Sequence, residues 1–179
     1  VVADIEISHC SFSLNKGSLG GAINNSNNSF MNIDSTVFQD NISTTSGTFS
    51  KPGGGAIYSS TKVSVSNSSF LNNSANSFGG GMCINGADAQ IKNCEFKQNS
   101  SKKGGGGIAA NHSDLDLSNS IFIKNTALDG SNPTDGGGLY IYDRCHGKVD
   151  KTIFNGNAAS TGAGIYGHRS FIPVSNSVF

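Results

Sequence analysis

The sequence predicts an all-β fold, a right-handed parallel β-helix of about six coils, with residues 1–179 forming a single domain. Three observations predict it. A Phe followed three positions later by an Asn returns every 25 to 32 residues, at Phe12/Asn15, Phe38/Asn41, Phe70/Asn73, Phe96/Asn99, Phe122/Asn125 and Phe154/Asn157, and Phe179 closes the chain. A glycine-rich patch falls between successive copies. Apolar residues recur two apart, and no 3.6-residue period appears. A fixed period of this length means stacked units that each bury little alone and share one continuous core.

Aligned on Phe, residues 5–12, 31–38, 63–70, 89–96, 115–122, 147–154 and 172–179 share one pattern. Two apolar residues two apart begin it, an Asn and a small residue follow, and Phe ends it. The apolar pair fits a strand with one buried face. Five residues separate its second member from Phe, an odd number, so a bend must return both to the interior. Asn67, Asn93, Asn119 and Asn176 sit at that bend. Asn tolerates left-handed backbone angles and can hydrogen-bond its own turn. The Asn after Phe marks the next corner. Stacking then predicts an amide ladder of Asn15, Asn41, Asn73, Asn99, Asn125 and Asn157. It also predicts a core column of Phe12, Phe38, Phe70, Phe96, Phe122, Phe154 and Phe179. Right-handedness follows from the rule for parallel crossovers.

The patches read Gly20-Gly21-Ala22-Ile23, Gly54-Gly55-Ala56-Ile57, Gly80-Gly81-Met82-Cys83, Gly105-Gly106-Gly107-Ile108, Gly137-Gly138-Leu139-Tyr140 and Gly162-Ala163-Gly164-Ile165. They are expected to let the backbone turn tightly at a further corner. The third and fifth can align one residue either way, and such a slip exchanges faces. Longer intervals after Phe38 and Phe122 place insertions at residues 42–52 and 126–135, on one corner three coils apart. Loops gathered on one side of a repeat protein often carry its binding.

Charged residues make up 13% of the chain, 12 basic against 12 acidic. That balance argues against nucleic acid or an anionic membrane as partner, since both require a positive surface. No run approaches the roughly 18 apolar residues of a membrane-spanning helix, so this fragment is not expected to insert in a membrane. The chain opens within a strand pattern and ends on a repeat Phe, which reads as a fragment of something longer with uncapped ends.

The alternating tetrapeptides Gly-Gly-Ala-Ile and Phe-x-x-Asn resemble the signature repeats of the chlamydial polymorphic outer membrane proteins, across essentially the whole chain. The resemblance implies the passenger region of an autotransporter, an extracellular or cell-surface β-helix that acts as an adhesin. Gly80-Gly81-Met82-Cys83 and Gly162-Ala163-Gly164-Ile165 depart from the signature. The membrane-spanning barrel of such proteins is not in this segment.

No catalytic, cofactor or metal site is expected. Asp114 and Asp116 flank an inward Leu115, with Gln90 and Lys148 as the nearest column mates, and Asp143-Arg144 stands isolated. That is not the paired-carboxylate arrangement of a glycosidase. Asp129 to Asp135 offers oxygens without the spacing of a calcium loop. Cys10 and Cys94 occupy the small slot two before Phe, filled elsewhere by Thr36, Ser68, Ser120, Thr152 and Ser177. With Cys83 and Cys145 they read as small buried hydrophobes.

Asn24, Asn27, Asn72 and Asn111 lie in sequons and are the candidate glycan carriers. Val37, Leu71, Ile121, Ile123, Ile153 and Val178 point outward beside the Phe column, and together predict an apolar interface stripe. The expected function is therefore a non-catalytic extracellular adhesin or surface-protein fragment that binds a cell-surface protein or glycan through its faces and corner loops. The alternatives are a filament segment joining copies of itself end to end and, behind that, a piece of a carbohydrate-active enzyme.

Overall fold

A computed structural model describes residues 4–27, 30–48, 52–130 and 133–179. Every strand pairing in it is parallel, and each of the first five coils contributes to four sheets in turn. The first sheet holds the longest strands, Asp4–Ser8, Phe30–Asp34, Val63–Ser66, Ala89–Lys92, Asp114–Ser118 and His146–Asp150, closed by Val174–Ser175. The second carries the Phe column at its centre, from Ser11–Ser13 through Ser69–Leu71 to Ile153–Asn155. The third is a row of two-residue strands, from Lys16–Gly17 to Thr126–Ala127. The fourth runs from Ile23–Asn25 through Met82–Asn85 and Leu139–Tyr142 to Ile165–His168.

Register is strict. Phe12, Phe38, Phe70, Phe96, Phe122 and Phe154 are successive partners across the second sheet. Their rings and that of Phe179 stack with centroids between 4.6 and 5.2 Å and planes within 16°. That separation follows the inter-strand spacing of about 4.8 Å. It holds parallel rings in the offset arrangement that their quadrupoles favour. Beside the rings, Met31, Val63, Ala89 and Leu115 form one inward column of the first sheet, and Ile33, Val65, Ile91, Leu117 and Val149 form the other.

The bend between the first two sheets is a single left-handed residue in every coil. It is His9, Ser35, Asn67, Asn93, Asn119, Lys151 and Asn176 in turn, with φ between 47° and 55°. Asn is preferred there but not required, since the stacked coils impose the angle on Lys151 as well. The bend Asn side chains reach the coil below rather than their own turn. Asn67 Nδ2 donates to Asp34 Oδ1 at 2.7 Å, Asn93 Nδ2 to Asn67 Oδ1 at 3.0 Å and Asn176 Nδ2 to Asp150 Oδ1 at 2.7 Å.

The fourth sheet fixes the frame of the glycine patches. Ile23, Ile57, Met82, Ile108, Leu139 and Ile165 are partners in one inward column. In the third and fifth coils the repeat is therefore Gly79-Gly80-Gly81-Met82 and Gly136-Gly137-Gly138-Leu139, one residue earlier than the tetrapeptides read from sequence. The glycines also do more than turn the chain. A Cβ on Gly106 would lie 2.5 Å from the backbone nitrogen of Thr126, because the patch crosses the short third sheet at contact distance. A Cβ on Gly107 would lie 2.7 Å from Cδ1 of Phe122. The Phe column thus rests on the glycine column, which is why the two motifs alternate.

Candidate functional site

The Asn after Phe enters the rod at the corner between the second and third sheets, where the preceding residue is again left-handed. Each Nδ2 from Asn15 to Asn125 donates to the Oδ1 of the next coil's Asn at 2.9 to 3.0 Å. That same Oδ1 accepts the backbone N–H of the Asn below at 2.9 to 3.1 Å. The second amide hydrogen of Asn41 through Asn157 goes to the Phe carbonyl of the coil below at 2.8 to 3.0 Å. All four hydrogen-bonding positions of an inner Asn are filled, the full capacity of a carboxamide.

A second ladder runs along the slot two before Phe. Ser68 Oγ accepts the Thr36 backbone N–H at 3.1 Å and donates to Ser66 O at 2.6 Å; Ser120 repeats the arrangement with Cys94 and Ser118. Cys94 is a member of it, its Sγ donating to Lys92 O at 3.2 Å. Cys145 sits in an equivalent corner slot with Ser113 and Ser170, its backbone N–H donating to Ser170 Oγ at 3.1 Å and its Sγ donating to Tyr142 O at 3.3 Å. These two cysteines therefore stand in for hydroxyls, where size alone suggested small hydrophobes. All four cysteines are free thiols, with Cys10 exposed. Burial pushes the Cys94 thiol up to about 11, and Cys83 and Cys145 upward too.

The outer face of the first sheet is polar along its length. Glu6, Asn32, Ser64, Gln90, Asp116 and Lys148 are successive partners in its central outward column. Two adjoining grooves of about 330 Å³ each lie on this face and share Gln90 and Asp116. One is bounded by Lys92, Ser118 and Lys148, the other by Asp88, Asp114 and His146. Sequence reading missed both Asp88 and His146 as neighbours of Asp114. His146 is its register partner, with Nδ1 3.6 Å from Asp114 Oδ1. The surface offers ammonium, amide and hydroxyl donors beside carboxylate acceptors, all within one shallow trough.

Other expected features are placed differently. Asp143 is not isolated: its Oδ2 lies 3.0 Å from His112 Nε2, and Arg144 Nη2 lies 2.6 Å from the same nitrogen. The outward apolar residues share one sheet but form no continuous stripe. Val37, Ser69, Glu95, Ile121 and Ile153 are successive partners in one column, and Gln39, Leu71, Lys97 and Ile123 in the next. Ser69, Glu95 and Lys97 thus separate Val37 and Leu71 from a compact group of Ile121, Ile123, Ile153 and Val178. Among the sequon residues, Asn24, Asn27 and Asn72 are exposed. Asn111 is 6% exposed and its Nδ2 donates to Asn85 Oδ1 at 2.7 Å, so its amide is not open to a glycan.

The insertions leave the rod at the corner between the third and fourth sheets, and residues 49–51 and 131–132 of them lie outside the described residues. Their described parts are tied down. Ser77 Oγ donates to Gly47 O at 3.0 Å, and buried Thr134 donates to Ala127 O. Among the described residues no three His, Cys, Asp or Glu side chains come together to hold a metal ion, and no helix is long and apolar enough to cross a membrane.

Neither a curated protein nor a solved structure matches the chain. Residues 37–179 match the family described as right handed beta helix region, a span that begins at the second coil's strand of the second sheet. With its four parallel sheets and one strict register, the chain belongs to that right-handed β-helix family.

Proposed function

We propose that this chain is a non-catalytic binding scaffold of an extracellular or cell-surface protein, an adhesin-like β-helix of the autotransporter-passenger kind that its repeats resemble. One observation carries the reading. The interior ladders satisfy their own polar groups, whereas the outward column Ser64, Gln90, Asp116 and Lys148 lies on a trough that the core does not use. Polar side chains at a fixed repeat on a rigid sheet are preorganised for a partner and lose little entropy on binding. The partner is a protein or glycan on another cell's surface.

The test is adhesion of cells to immobilised chain, comparing the parent with a Gln90→Ala, Asp116→Ala, Lys148→Ala variant whose circular dichroism is unchanged. Loss of adhesion in the variant supports the reading; equal adhesion, or none by either, refutes it. Depolymerisation of polysaccharides incubated with the chain, abolished by Asp114→Asn, would instead identify a carbohydrate-active enzyme.

A further inference from the structure

Both arginines of the chain stand at one place, whereas its lysines are scattered. Arg144 and Arg169 lie at the corner between the fourth and first sheets, in consecutive coils. Each is held in the left-handed region, with φ of 56° and 48°, and the Arg144 N–H donates to Arg169 O at 2.8 Å, so the two are neighbours in the stack. Arg144 Nη2 lies 2.6 Å from His112 Nε2 and 3.6 Å from Asp143 Oδ2, yet this side chain is 73% exposed. Arg169 is exposed as well, and among the described residues no carboxylate lies within ion-pair distance of it. One carboxylate against two guanidiniums leaves the corner positive, and like charges one coil apart repel. Two residues on, Phe171 is 73% exposed. Its N–H donates to Cys145 O at 3.0 Å, which sets it over His146 at the start of the first sheet.

We infer that this corner docks an acidic segment of a protein partner, a short stretch with two carboxylates beside one apolar side chain. Each guanidinium presents a planar fork of N–H donors that matches a carboxylate, which an ammonium does not. Arginine and aromatic residues are the anchors enriched at the centre of protein interfaces, where lysine is depleted. Phe171, beside the two forks, takes the apolar side chain. The surroundings limit the partner's shape. Asp114 pairs with His146 in register, and Asp88 adjoins it in the same groove. A flat anionic membrane or a long anionic polymer would press on those carboxylates and be repelled. A segment of a few residues spans the corner alone.

The inference names the partner of the binding scaffold proposed above and rests on that reading; the experiment separates the two. The whole chain is titrated, by fluorescence anisotropy, into labelled hexapeptides in which the number of acidic residues and the presence of one leucine vary independently. Neutral and basic hexapeptides and phosphatidylserine vesicles are run alongside. Acidic peptides with the leucine bind best, neutral and basic ones at least about tenfold more weakly, vesicles are not bound, and affinity falls as salt is raised. Arg144→Lys with Arg169→Lys keeps both charges at exposed positions; with circular dichroism unchanged, it weakens the acidic peptide at least about tenfold. Phe171→Ser removes the preference for leucine, and Lys97→Ala, outward on the second sheet, changes nothing. No peptide binding, equal binding of neutral peptides, binding of the vesicles, or an arginine or Phe171 variant that behaves as the parent overturns the inference. Parallel cell-adhesion assays assign the failure: adhesion without peptide binding refutes this corner alone, and peptide binding without adhesion refutes the adhesin reading alone.

Discussion

Replacing Asn99 by Ala removes the centre of the inner amide ladder, and the structure sets the size of the effect. Asn99 Oδ1 accepts the Asn73 backbone N–H and Asn73 Nδ2, each at 3.0 Å, and Asn99 Nδ2 serves Asn125 Oδ1 and Phe70 O. After truncation Asn73 Nδ2 keeps Phe38 O and Asn125 Oδ1 keeps the Asn99 backbone N–H. The Asn73 N–H and the Phe70 carbonyl lose these bonds in a buried corner. At about 1–3 kcal/mol for each orphaned group the loss is about 2–6 kcal/mol. Asn15→Ala, at the exposed first coil, removes one amide bond and costs about 0.5–1.5 kcal/mol. Asn99→Asp keeps the shape but places a carboxylate oxygen against two acceptors, so at neutral pH it is worse than Ala. Burial raises the pKa of that carboxyl; protonation then restores a donor, and the variant gains stability as pH falls. Denaturant midpoints at constant slope measure all three. An Asn99→Ala midpoint equal to that of the parent, or to that of Asn15→Ala, refutes the ladder as a source of stability.

Phe96 stacks between Phe70 and Phe122 at 4.6 and 4.7 Å, so Phe96→Ala costs about 3–5 kcal/mol in a thermal melt, and Phe12→Ala, in the partly exposed first coil, costs less. Gly106→Ala forces a methyl to within 2.4 to 2.5 Å of three backbone atoms and destabilises by more than Gly81→Ala, whose Cβ meets the Gly107 carbonyl oxygen at 2.7 Å and the ring of Phe96 at 2.9 Å and whose column already holds Ala22 and Ala56 in the first two coils; overpacking of this kind costs about 1–3 kcal/mol. Hydrogen bonds from Ser66, then Asn67 and Ser35, hold the Asp34 carboxyl below its ordinary value, and Asn176 and Ser175 do the same for Asp150. Groups depressed in the folded state stabilise it above the unfolded pKa and lose that contribution as pH falls through the folded one. Melting temperature therefore falls on acidification below about pH 4, and an Asp34→Asn, Asp150→Asn variant shows a shallower decline; an identical slope refutes the assignment.

The columns were legible because Phe and Asn are chemically distinct and recur at one position of each coil, so stacking them leaves a single register. The phase break between the apolar pair and Phe located the left-handed bend for the same reason. The frame of the patches was not legible at Gly79-Gly80-Gly81 or Gly136-Gly137-Gly138, where three glycines in a row carry no side chain to mark a face. Cys94 and Cys145 were read by size, and only the partners of their Sγ atoms show them in hydroxyl slots. The trough was half legible. Asp114, Asp116 and Lys148 stood out in the sequence, but Asp88, Asp114 and His146 stand eight residues before Phe96, Phe122 and Phe154, one position outside the aligned segments. The corner that precedes them varies in length. That corner spans Asp143 and Arg144, both left-handed, in the sixth coil against His112 alone in the fifth. The extra residue hides the pairing of Asp143 with His112 from any fixed-period alignment.

Side-chain amide exchange by nuclear magnetic resonance tests the stacked register most directly. If like residues of successive coils lie over one another, the Nδ2 hydrogens of Asn41, Asn73, Asn99 and Asn125 exchange far more slowly than those of exposed Asn24 and Asn72, and each shows through-bond coupling to the Asn of the next coil. Exchange of the ladder amides as fast as at Asn24 and Asn72, with no such coupling, contradicts the register and the binding faces built on it.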